Sequence, residues 1–271
     1  MPDNQFAVVL AVFGTPCDQD AAALASMQET LRQRYPDTDV LLAAEAVPGT
    51  EGASRTKRAA DALIQTLAKL AAAGYTHVAV QSLHVVPGLE FDALRDAAQG
   101  FALASGGKIQ VCTGHPLIHD KTSANQVANA LIRDVPPNRQ ADDAVVFVGH
   151  GTEHPAGAQA YARLQTCLQQ RDPFLFAVTL TGPPDANNIL AKLQAKGARN
   201  VWLAPLLAWS GSHMRQDIFG GKASWQKRLE AGGFICIPLE KPLSAWTGVA
   251  AIWLENAAAC LNTLKKASPG G

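Results

Sequence analysis

The chain has 271 residues, 48% of them hydrophobic and 6% aromatic. That length exceeds the usual single domain and implies two α/β lobes or one large domain, while the composition is that of an ordered, helix-rich globular protein and excludes a disordered chain. Lys plus Arg balance Asp plus Glu at 23 each, so no net field draws the chain to nucleic acid or to an anionic membrane.

The opening MPDNQFAVVLAVFGTPC has no Lys or Arg ahead of a short apolar run that Gly14 interrupts. A signal h-region or a spanning helix needs a longer run with basic flanks, so the cytoplasm is the expected compartment. Cys17, Cys112, Cys167, Cys236 and Cys260 are scattered without a C-x-x-C pair, and reduced thiols with no catalytic role are expected.

Apolar runs recur along the chain at residues 6–13, 40–47, 78–86, 108–112, 144–148, 174–180, 201–207 and 234–238, separated by Ala- and Leu-rich stretches of helical length. Continuous apolar runs of this kind are the mark of parallel strands covered on both faces, so the spacing predicts βαβ units throughout. Two pairs of segments resemble each other in the same order. VVLAVFGT, ending at Thr15, matches AVVFVGHGT, ending at Thr152. GYTHVAVQSLHVVPGLE, from Gly74, matches GARNVWLAPLLAWSGSH, from Gly197. The matches imply a duplicated half of about 130 residues and two lobes, 1–137 and 138–271, with the boundary in the polar stretch 134–143. Whether the last helix, about 246–266, packs back on the first lobe is left open.

Aligned by these repeats, His150 stands opposite Phe13, and His213 opposite Glu90. Ligands of open parallel sheets bind beyond the carboxyl ends of the strands, and a cleft between two lobes would bring His150, His213 and Glu90 together. In GHGTEHP the two glycines leave His150 exposed at a strand end. In SGSHMRQD, His213 is expected in the first turn of a helix capped by Ser210 or Ser212, where the neutral ring that binds a metal or accepts a proton is favoured. Glu90 opens the helix after Pro87-Gly88, and His84 lines the same rim. His154 and His119 follow His150 and His115 by four, but Gly151, Pro155 and Pro116 interrupt helical geometry and argue against paired ligands. His77 reads as structural. The chain has no G-x-x-x-x-G-K-[ST], no G-x-G-x-x-G after its first strand, no G-x-S-x-G and no H-E-x-x-H, so nucleotide and hydrolase readings lack their residues.

VVLAVFGT, GYTHVAVQSLHVVPGLE, VVFVGHGTEHPA and the segment around SGSHMRQDIFG resemble, in order and spacing, the sirohydrochlorin cobaltochelatases of anaerobic cobalamin biosynthesis, class II chelatases related to ferrochelatase. The resemblance spans almost the whole chain. It implies the chelatase fold, two Rossmann-like lobes with a tetrapyrrole in the cleft between pseudo-duplicated halves. It also implies His150 and His213 as the metal-binding and proton-abstracting pair, with Glu90 as the accompanying acid and a third metal ligand. Relatives often carry a Glu where this chain has Thr181, in VTLTGPP. Glu45, in the corresponding VLLAAEAVPG of the first half, is a candidate replacement from the opposite wall.

Metal insertion needs loss of two pyrrole protons and desolvation of the ion, tasks suited to neutral imidazoles, and an incomplete ligand set lets the metal move on to the ring. The expected substrates are sirohydrochlorin and Co2+, with Fe2+ insertion for sirohaem as the alternative within the enzyme class. A non-catalytic tetrapyrrole or metal binder is the alternative outside it. No tightly bound cofactor, nucleic acid or membrane partner is expected, and a homo-oligomer is left open. The carboxylates of the macrocycle are expected to meet backbone N–H groups at Gly14-Thr15 and Gly151-Thr152 and cations such as Arg55 or Arg215.

Overall fold

The computed structural model describes residues 4–12, 18–44, 55–182 and 188–267. Its strands are β1 (Phe6–Ala11), β2 (Asp39–Ala43), β3 (His77–Ser82), β4 (Gln110–Gly114), β5 (Ala144–Gly151), β6 (Leu175–Thr181), β7 (Asn200–Leu206) and β8 (Ile235–Pro238). Each overlaps one of the eight apolar runs, with ends that differ by a few residues. The helices are α1 (Asp18–Arg34), α2 (Arg55–Ala72), α3 (Leu89–Ala104), α4 (Lys121–Asp134), α5 (Pro155–Arg171), α6 (Ile189–Ala195), α7 (Trp225–Ala231) and α8 (Thr247–Ala267). No helix among the described residues is long and apolar enough to cross a membrane.

The strands form two four-stranded sheets, ordered β2-β1-β3-β4 and β6-β5-β7-β8, with every pairing parallel. The order is the same in both, and so is the register of the central pair: Ala7 stands beside Val78, and Ala144 beside Val201. These are the positions that the two sequence repeats equate, so the duplication extends to the hydrogen-bond ladder. Residues of β3 are buried from end to end, as are those of β5 up to Gly149, because helices cover both faces of each sheet.

The chain divides into two compact units, residues 1–117 with 251–271, and residues 118–250. The expected boundary at 137/138 therefore moves: the first half gives all of α4 to the second unit, and the second half gives most of α8 to the first. Helix α4 goes with the second unit because it packs on α5. It buries Val127, Ala128, Ala130 and Leu131, and Arg171 of α5 reaches Asn129 Oδ1 at 2.7 Å and Asn125 Oδ1 at 2.8 Å. From Ala251 onward α8 belongs to the first unit. Trp253 Nε1 donates to the carbonyl of His84 at 3.2 Å, and Arg34 meets Glu255 at 2.6 Å. Repeat matching locates halves of a chain, but which sheet a terminal helix covers is decided by long-range packing.

In the first unit Val9, Leu63, Leu67, Val78, Val80, Leu94 and Ile109 form the core. In the second, Val146, Val148, Phe176, Leu203, Ile218, Trp225 and Leu229 do. Cys112 and Cys260 lie side by side in the first unit, and Cys167 and Cys236 belong to the second; these four described cysteines are free thiols, and Cys17 lies outside the described residues.

Candidate active site

His150 is the penultimate residue of β5 and its only exposed one. Its presentation depends on both flanking glycines. A Cβ at Gly149 would stand 2.6 Å from Cε1 of the buried Tyr161 ring, and Gly151, at φ +85°, lies so close to the Thr181 backbone carbonyl that no side chain fits. Tyr161 belongs to α5, and its hydroxyl oxygen accepts from the backbone at Gly151 and His150; burial raises its pKa to about 12, so it stays a phenol. The Thr181 hydroxyl donates to the His150 carbonyl at 3.1 Å. His150 is thus held through its backbone, while the ring is free to face a ligand.

His213 begins a π-helical turn, His213–Gly220, that follows β7. An α-helix capped by Ser210 or Ser212 was the expectation. Ser212 occupies the N-cap position with no side-chain hydrogen bond, and the wider turn closes at its far end through the Gly221 N–H, which donates to the Gln216 carbonyl five residues back at 2.8 Å. Gly220 and Gly221 make the widening possible. A Cβ on Gly220 would stand 2.6 Å from the Arg215 carbonyl oxygen, and one on Gly221 would press as hard on that of Gln216. Met214, Ile218 and Phe219 anchor the turn in the core, which leaves His213 on the outer side.

The two imidazoles meet edge to face, with centroids 4.6 Å apart and planes at 78°. His150 Nδ1 lies 3.1 Å from the Gly151 carbonyl oxygen, and His213 Nδ1 lies 2.6 Å from Asp217 Oδ2. A carbonyl can only accept, so the neutral His150 ring carries its proton on Nδ1 and keeps the Nε2 lone pair. The arrangement is a pair of accessible nitrogen bases. Among the described residues no group of three or more His, Cys, Asp or Glu side chains could hold a metal ion.

The family model described as Cobalt chelatase (CbiK) matches residues 6–262. The chain belongs to the cobalt chelatase family. It is 34% identical over 265 residues to the Sirohydrochlorin cobaltochelatase CbiKC of Nitratidesulfovibrio vulgaris, covering 97% of this chain and 93% of the relative. It is 31% identical over 204 residues to the Sirohydrochlorin cobaltochelatase of Salmonella typhimurium, covering 74% and 75% of the two chains. The solved structure of SirB from Bacillus subtilis with Fe3+ superposes with a TM-score of 0.63 at 12% identity, over 97% of this chain and 98% of that one, and so shares the fold.

The remaining residues expected in this cobalt chelatase's site divide between the two units. Gly151 and Thr152 lie beside His150, where Thr152 Oγ1 accepts from the His154 N–H at 3.0 Å. His154 takes the N-cap position of α5, with Pro155 first in the helix, so it shares no helical face with His150. Glu90 is half-buried in the first turn of α3, in the first unit. Beside it Phe91 packs edge-on to His84, whose Nδ1 lies 2.6 Å from Ser82 Oγ. Burial lowers the His84 pKa to about 4, so this ring is neutral at working pH. Within its own unit Glu90 stands just beyond the strand that corresponds to the one preceding His213. Gly14, Thr15 and Glu45 lie outside the described residues, as does the side chain of Arg55. Arg215 donates to the Ser210 carbonyl at 2.6 Å and so braces the turn before His213.

Tyr161, Asp217 and the Gly220-Gly221 pair escape a reading of sequence alone. A carboxylate four residues after a candidate histidine and a double glycine closing a short helix were the signals available.

Proposed function

We propose that this chain inserts Co2+ into sirohydrochlorin to give cobalt-sirohydrochlorin, with release of the two pyrrole protons. The observation that carries the reading is the edge-to-face pair of His150 and His213, two imidazoles on separate turns of one sheet in a chain of the cobalt chelatase family. Imidazole suits a borderline ion such as Co2+, and two ring nitrogens hold it too weakly to trap it. The same nitrogens accept pyrrole protons as the ion leaves for the ring.

Glu90 acts in this reading as the accompanying acid and as a metal ligand. Gly151 and Thr152, together with Gly14 and Thr15, bind the carboxylate-bearing rim. His84 lines the tetrapyrrole site, and Glu45 takes the part of the acid replaced by Thr181. The metal is a substrate, and no tightly bound cofactor is required.

The test is anaerobic addition of Co2+ to excess sirohydrochlorin with catalytic protein, followed by absorbance. Many equivalents converted per chain supports the proposal; conversion of one equivalent and no more means a binding protein and overturns it. Initial rates with Co2+ and Fe2+ in parallel decide the metal, and a faster rate with Fe2+ would transfer the activity to sirohaem formation.

A further inference from the structure

Asp217 is exposed and His213 half-buried, with side chains 49% and 42% accessible, yet their contact is short: Oδ2 lies 2.6 Å from Nδ1. A contact between side chains this open adds little to folding, so stability gives little reason for it. What the contact does determine is the state of the ring. A carboxylate accepts hydrogen bonds and donates none, so a neutral imidazole facing it must place its proton on Nδ1. The lone pair is then on Nε2. A carboxylate behind a metal-binding histidine commonly sets tautomer and ring orientation in this way, and its loss costs about 10- to 100-fold in metal affinity or activity.

We infer that Asp217 is a positioning residue that holds His213 in the Nδ1–H form, so that Nε2 of His213 works beside the Nε2 of His150 on the metal and the pyrrole proton. The spacing of four residues along the turn puts the two side chains on one face. Asp217 sits four residues along a widened turn, and Met214 and Ile218, buried on the inner side, keep both polar side chains outward. His150 reaches the same tautomer with a different acceptor, the Gly151 carbonyl at 3.1 Å. One base is therefore oriented by backbone and the other by a side chain that mutation can remove.

The inference rests on the metal-insertion reading for its consequence but not for its first readout. In 15N-histidine-labelled, metal-free protein at pH 8, long-range proton–nitrogen correlation gives the tautomer of each ring, with His213 assigned by its loss in His213→Gln. The expected result is the Nδ1–H form in the wild type and in Asp217→Asn, whose amide oxygen still accepts, and a shift toward Nε2–H in Asp217→Ala. Titration with Co2+ alone should then show about 10- to 100-fold weaker binding in Asp217→Ala, a rise in KM for the metal, partial rescue in Asp217→Asn and unchanged melting temperatures. An unchanged His213 tautomer in Asp217→Ala, or unchanged Co2+ binding despite a changed tautomer, overturns the inference. If the tautomer and Co2+ binding shift as expected while the wild type converts no sirohydrochlorin, the positioning role stands and the metal-insertion reading falls.

Discussion

Gly149 of β5 and Tyr161 of α5 meet with no space for a methyl group, a Cβ at the first standing 2.6 Å from the ring of the second. The same phenol accepts from the backbone at His150 and Gly151, so one buried aromatic fixes the strand end that presents His150. Gly149→Ala is expected to destabilise the protein by about 1–3 kcal/mol, the usual cost of overpacking a filled core, and to lower insertion activity beyond the loss of folded protein. Thermal melts compared with initial rates per folded chain check this.

Tyr161→Phe keeps the ring but removes the acceptor and leaves backbone donors buried. A loss of about 1–3 kcal/mol is expected from the unsatisfied groups, measurable by urea unfolding. A stability equal to wild type would mean that the hydroxyl does not hold the loop.

His150→Ala and His213→Ala should each reduce turnover by about 100-fold or more, the low end of what a positioned acid–base group supplies, and leave the melting temperature within a few degrees. Both rings lie outside the cores, so unfolding of either variant would assign them a structural role instead. Glu90→Gln should likewise abolish insertion. Glu45→Gln decides whether that second carboxylate takes part, and activity equal to wild type would remove it from the site.

Gly220→Ala is expected to force the π-helical turn toward a different closure, because its Cβ has no room at the Arg215 carbonyl. The reach of His213 toward His150 should change before the fold fails. A fall in turnover of 10-fold or more with cooperative unfolding retained would fit, and full activity would show that the turn can relax elsewhere.

Acid should weaken the first unit through His84. Its native pKa, about 4, lies below the unfolded value of 6.5, so between these limits the unfolded chain binds a proton that the native one does not. Stability is retained above pH 6.5 and falls as pH drops toward 4, by on the order of 2–3 kcal/mol from this group. His84→Gln should show a shallower decline in melting temperature over that window, and an identical decline would place the acid sensitivity elsewhere.

The eight strands were legible because a parallel strand covered on both faces reads as an unbroken apolar run, a property of local composition. The duplication was legible for the same reason, and equal register at Ala7–Val78 and Ala144–Val201 follows from it. His150 stood out through its two glycines, whose need for bare backbone is written in the residue type. The assignment of α4 and α8 was not legible, since Arg171 meets Asn125 and Asn129 only after the chain has folded back.

By itself, then, the sequence determined where the strands of each half lie, the glycine-flanked presentation of His150 and the family likeness, because each rests on residue type at short spacing. Tertiary structure alone decided that the His150 and His213 rings come within 4.6 Å, that a π-helical turn carries the second, and that Asp217 and Tyr161 stand behind them. Those facts depend on the close approach of backbones distant in sequence, which no local pattern encodes.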